Sequence, residues 1–139
     1  MAYIVNQDII DRVGNERAAQ LTADSGTTPD QTVLDEVRLG AEGEANGYLG
    51  RRYEVPVDLT AHADLAATLK RFVLDIAVYQ LMSRRDPASE TSRRVRDDAV
   101  KWLERIAKGE IVLPAATTPA GTNSDNPKSS WGSTPSQDA

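Results

Sequence analysis

The chain contains no cysteine, which excludes disulfides and thiolate metal sites and removes any sign of an oxidising compartment. It has one histidine, His62, so a histidine-rich zinc site or a Ser/His/acid triad would have to be built around a single residue near a helix start. A polar residue opening a helix needs no such role. No apolar run approaches the roughly 20 residues that a membrane span requires, and the opening "MAYIVNQD" lacks the basic start and long apolar stretch of a signal peptide. The expectation is a soluble protein folded in a cytoplasm. Positive charge is also in short supply, with 16 Lys and Arg against 21 Asp and Glu for a net charge of −5. That balance argues against a protein whose main work is gripping nucleic-acid phosphates.

What is present fits one domain of 139 residues, divided by a change of composition near Leu113 and Pro114. Residues 1–113 read as a helical domain. Residues 114–139, "PAATTPAGTNSDNPKSSWGSTPSQDA", hold four of the seven prolines, three charged residues and one large apolar side chain, Trp131. Such a segment buries too little apolar area to offset its own ordering entropy. It is expected to order only through partner contacts, with Trp131 as the natural anchor.

The domain is helical almost throughout. In "NQDIIDRVG", Asn6 is placed to cap a helix carrying Ile9, Ile10 and Val13 and stopping at Gly14. A short piece from Asn15 to Leu21 continues in a new direction. "SGTTPDQ" marks a second start, with Thr28 as cap, Pro29 at the first helical position and Gln31 completing a capping box. From there Val33, Leu34, Val37, Ala41, Ala45, Tyr48 and Leu49 form one helical face. Pro56 breaks the pattern, making Tyr53 to Thr60 a loop or short extended arm. A third long helix starts near Ala61 and is apolar nearly all round, as a central buried helix would be; Arg84, Arg85, Asp86 and Pro87 end it. A fourth, about Ser89 to Lys108, is amphipathic, with Gly109 past its end and a short extended piece, Glu110 to Leu113, beyond. The predicted architecture is an all-α bundle of about four helices with a long extended tail.

Within the second long helix, Gly40, Gly43, Gly47 and Gly50 recur at steps of three and four. Nucleotide-binding glycine loops follow a strand and carry other spacings, so the series reads as a bare stripe along a helix. Each glycine costs roughly 0.8 to 1.0 kcal/mol relative to alanine in a helix interior. Either another backbone approaches closely along the stripe, from a neighbouring helix or a second subunit, or surroundings hold a weak helix in place; close packing is favoured. The carboxylates Glu42 and Glu44, or Asp97 and Asp98, are adjacent or two apart and point in different directions on a helix, as solvated faces do. Arg51, Arg52, Arg84, Arg85, Arg93, Arg94 and Arg96 invite a DNA-binding reading. The mixture of Arg93, Arg94 and Arg96 with Asp97 and Asp98 suits salt bridges across a surface or subunit contact better.

The order of "MAYIVNQDIIDRVG", "AAQLT", "ANGYLGRRYEVPV", "LKRFVLDIAVYQLMSRR" and "DDAVKWLERIAKGEIVLP" resembles the Mu-type phage head-tail adaptor family, among the tailed-phage head-tail connector proteins. The resemblance covers Met1 to Pro114 and leaves the tail unmatched. Its most telling parts are Gly47, Tyr48, Leu49, Arg52, Tyr53, Val55 and Pro56, then Trp102, Leu103, Ile106, Ala107 and Gly109. It implies a virion protein without enzymatic activity or cofactor. Such a protomer forms a ring, commonly of twelve copies, beneath the portal protein at the head-tail interface. There it meets the tail, a stopper or a tail-terminator protein, and lets DNA pass without sequence-specific binding. The alternative is a small phage DNA-binding module for packaging or regulation. The residues expected at subunit or partner contacts are Gly43, Gly47, Arg51, Arg52, Tyr53, Val55, Pro56, Arg93, Arg94 and Trp131; none is expected to be catalytic, to hold a cofactor or to ligate a metal.

Overall fold

The computed structural model describes residues 3–23, 26–85 and 90–114, and among them the protein is all-helical with no strand. Trp131 and the rest of residues 115–139 lie outside the described residues, as do residues 86–89 at the turn after the third long helix. Five helices follow in order: α1 Asn6–Val13, α2 Asn15–Thr22, α3 Gln31–Leu49, α4 Ala63–Met82 and α5 Glu90–Ala107. The count exceeds the expected four because Gly14, at φ +92°, serves two helices at once. Its N–H donates to the Ile10 carbonyl at 2.7 Å and its carbonyl accepts from Ala18 at 2.8 Å. Glycine adopts that backbone without the cost a side chain would bring, so one residue ends α1 and opens α2.

Both predicted caps are displaced. Asn6 is the first residue of α1 rather than its cap. Its side chain donates to Gln31 Oε1 (2.9 Å) and Asp35 Oδ1 (2.7 Å) and accepts from Arg38 Nε (2.9 Å). That tertiary bridge to α3 outbids a local cap, while the Val5 N–H donates to the Asp8 carboxylate at 2.8 Å. For α3 the cap is Asp30, not Thr28: Asp30 Oδ1 accepts from the Thr32 N–H at 2.9 Å. The Asp30 N–H itself donates to Thr22 Oγ1 at 2.8 Å, tying the α3 entrance to the end of α2. Gln31 is thus the first helical residue rather than part of a capping box begun at Thr28.

Helix α4 is the central element and packs against all four others. Leu69, Val73, Leu74, Ile76, Ala77 and Leu81 are buried along it, matching its all-round apolar pattern. One buried α4 residue is charged: Asp75 accepts from Arg12 Nη1 of α1 at 2.7 Å. Helix α3 contributes Leu34, Val37, Ala41, Ala45 and Leu49 to the core, and α5 contributes Ala99, Leu103 and Ile106. Phe72 and Trp102 meet across α4 and α5 with ring centroids 4.9 Å apart.

The chain entering α1 is fastened to α3 by a buried carboxylate. Glu42 Oε2 accepts from the N–H groups of Tyr3 (2.7 Å) and Ile4 (3.1 Å), and Arg38 lies 3.4 Å from Oε1. The Tyr3 hydroxyl donates to Asn46 Oδ1 at 2.6 Å and accepts from the Val57 N–H at 3.0 Å. This corrects the reading of Glu42 as part of a solvated face: it is 8% exposed. Leaving buried N–H groups without an acceptor costs about 1–3 kcal/mol. Glu42→Ala should therefore lower unfolding stability by about 1–3 kcal/mol in urea titrations, and Glu42→Gln, which keeps an acceptor there, should recover part of the loss.

Burial raises the Tyr3 phenol above its ordinary value; the Val57 N–H bond works against this and the Glu42 charge adds to it. A raised pKa in the folded state favours the neutral phenol, so its contribution is complete below the unfolded value of about 10 and fades as pH rises through the folded one. Stability should accordingly fall above about pH 10, and Tyr3→Phe should lose this component of the alkaline slope in denaturation curves measured across that range.

Candidate subunit and partner contact surface

Helix α3 presents two opposite faces. Its inner face carries the core residues, and Glu36, Leu39, Gly40, Gly43 and Gly47 form the outer one, all exposed. Leu39 is 59% exposed there. The glycines divide according to what a side chain would meet. At Gly50, which follows the helix, an added carbon would lie 2.9 Å from the Asn46 carbonyl oxygen and touch Val55; at Gly40 it would lie 3.1 Å from the amide oxygen of Gln80. At Gly43 and Gly47 it would meet nothing within 4 Å. Among the described residues, no element therefore packs closely on those two.

The corner after α3 is built from both engaged and free residues. Arg51 lies over the Tyr48 ring at 5.3 Å. The Arg52 guanidinium covers Gly109, whose φ of +84° turns the chain after α5 and whose missing side chain leaves room for it. Tyr53 is buried, and its hydroxyl accepts from the Leu113 N–H at 2.8 Å. Beyond it, Glu54, Val55 and Pro56 are exposed, and Val57 and Leu59 are buried on either side of exposed Asp58. Thr60 donates to the Asp58 carboxylate through both its backbone N–H (2.9 Å) and its hydroxyl (2.5 Å), and these bonds hold its pKa below the usual aspartate value. Tyr53 thus locks the arm to the C-terminal end of the described chain, whereas Val55, 41% exposed, and Pro56 remain at the surface.

The arginines divide in the same way. Arg96 pairs with Glu44 of α3 at 2.5 Å and lies over the Tyr79 ring at 5.4 Å, and Arg84 donates to the Leu21 carbonyl at 2.7 Å. Those two hold helices of the chain together. Arg93 and Arg94 are exposed on α5, where Arg94 lies 3.5 Å from Glu90 one turn earlier, and Asp97 and Asp98 are exposed beside them. Gly43, Gly47, Arg51, Val55, Pro56, Arg93 and Arg94 are therefore surface residues, and Trp131 lies outside the described residues. Among the described residues no three His, Asp or Glu side chains gather as a metal site would require, and no helix is long and apolar enough to cross a membrane.

The residues that residue-by-residue reading missed are Tyr3, Arg12, Glu42 and Asp75. For Glu42 a signal existed: it stands seven residues before buried Leu49, and seven residues make nearly two full helical turns, returning to the same face. Because the described residues leave Gly43 and Gly47 open, alanine at either position should stabilise the single chain by about 0.5–1 kcal/mol through helix propensity alone. Thermal or urea unfolding of the two variants checks this.

Residues 3–130 match the family model described as Bacteriophage Mu, Gp36. No curated protein matches the chain. The match continues past Pro114, so part of the segment expected to lie outside the family falls within it, up to the residue before Trp131. With nearly its whole length matched, the chain belongs to the phage protein family Bacteriophage Mu, Gp36.

Proposed function

We propose that this phage-family protein is a structural virion subunit, a head-tail connector that assembles as a ring beneath the portal and joins the capsid to the tail around the DNA channel. The observation that carries the reading is the outer face of α3. Gly43 and Gly47 weaken that helix by roughly 0.8–1.0 kcal/mol each relative to alanine, yet none of the described residues uses the space they leave. A neighbouring copy lying against α3 would make use of it, since removing side chains is how a second backbone comes close. The exposed Arg51, Val55 and Pro56 corner and the Arg93, Arg94 stretch of α5 offer further contacts to neighbours, portal or tail. The net charge of −5 suits a channel through which DNA slides by like-charge repulsion.

The rival DNA-binding reading is weakened by the use of Arg12, Arg84 and Arg96 in contacts within the protomer. Mobility shifts at low and moderate salt discriminate the two, because phosphate-driven binding is steeply salt-dependent.

Electron microscopy of virions and of the purified protein with its portal tests the connector reading. Rings at the vertex are expected, and absence of the protein from mature particles would overturn it. Gly43→Leu and Gly47→Leu should leave the helical circular dichroism of the protomer intact while reducing ring formation at least tenfold in sedimentation experiments. Normal rings from both variants would refute the role given to the bare face.

A further inference from the structure

Between α1, the second half of α4 and the first turns of α5 lies a groove of about 370 Å3. Its walls are apolar: Val13 from α1, Val78 and Met82 from α4, and Val95 from α5, which is 39% exposed. On the α1 side stands Arg12, whose Nη1 is held at 2.7 Å by buried Asp75 and whose side chain is 38% exposed. A guanidinium fixed at one end with a free face beside aliphatic walls is a setting for a large flat aromatic ring, which gains both apolar burial and a cation–π contact.

We propose that this groove is the docking site for the indole of Trp131 from the same chain. Trp131 is the only large apolar side chain after Pro114, so that segment offers a single residue able to fill such a groove. The reach is suitable. Tyr53 fixes Leu113 just past the C-terminal end of α5, while the groove lies at the N-terminal end of α5; from Val95 to Ala107 the helix runs about 18 Å. Trp131 is seventeen residues beyond Pro114, and a flexible linker of that length has a root-mean-square span of about 20–25 Å. A linker whose span matches the separation gives the highest effective concentration, in the millimolar range for short linkers, so one indole contact of modest strength suffices. The inference does not depend on the connector reading, since docking on the chain's own domain requires no assembly.

The test uses the full-length protein with Trp102→Phe, which keeps an aromatic ring against Phe72 and leaves Trp131 as the only tryptophan. Emission wavelength and acrylamide quenching are compared with those of a peptide spanning residues 115–139. Trp131 in the protein should emit at shorter wavelength and quench several-fold less readily than in the peptide, independently of protein concentration. Val95→Asp should return both readings to the peptide values, and Leu39→Asp, on the outer face of α3, should leave them unchanged. If Trp102→Phe does not fold, fluorotryptophan in the natural chain gives two fluorine resonances, with Trp131 assigned through Trp131→Phe, and the same groove variants apply. Peptide-like quenching in the intact protein, protection that survives Val95→Asp, or protection lost on dilution, which would assign the groove to another copy's tail, each overturns the proposal.

Discussion

Five consecutive residues of α4, Val73 to Ala77, are buried, so the helix must be covered on every side there, and this stretch sets the requirement for the rest of the domain. Four helices meet it: α3, α5 and the short pair α1 and α2 all pack against α4. The pair has to turn sharply to do so, which is why Gly14 sits between them with a backbone that other residues adopt only at a cost. Exposed α4 would be an aggregation-prone surface, so its covering also decides what the other helices have left to offer.

What α3 has left is a second face. Its inner face is committed to Leu34, Val37, Ala41, Ala45 and Leu49, and Glu42 beside them anchors the incoming chain through the Tyr3 and Ile4 N–H groups. The outer face carries Leu39 and the open Gly43 and Gly47. Local weakness in the helix is offset by the tertiary bonds on the other side: Asn6 and Arg38 at its start, Asn46 to the Tyr3 hydroxyl near its end, and Arg96 to Glu44 in between. A helix held so firmly along one face can remain bare along the other. That division of labour links the packing of the domain to the face proposed above for contact with a neighbour.

Much of this is legible in the sequence because it rests on period and on backbone chemistry. The buried faces of α3, α4 and α5 follow from apolar spacing, and the stops at Gly14 and Gly109 from glycine placement. The illegible part consists of long-range polar pairs. Glu42 resembles any carboxylate of a solvated face until Tyr3, 39 residues away, is folded against it. Arg12 and Asp75 are 63 residues apart. Asn6 leaves its local cap for partners on α3, and Asp30 takes the cap from Thr28 because Thr22 reaches its backbone. In each case a tertiary partner overrides a local preference, and no local pattern records it. The glycine stripe shows the converse: its period is plain, but only the fold shows that Gly43 and Gly47 face open space whereas Gly40 and Gly50 do not.

The proposed assembly role of α3 requires that its outer face be covered by a neighbour. Hydrogen exchange of the Gly40–Gly47 amides, measured on the free protein and on the protein within virions or rings, addresses this directly, since exchange from a helix reports how readily it opens locally. Slowing by at least tenfold on assembly, greater there than at the amides of buried α4, is the result expected. Equal exchange rates in the free and assembled protein would contradict it and leave the bare face without a partner.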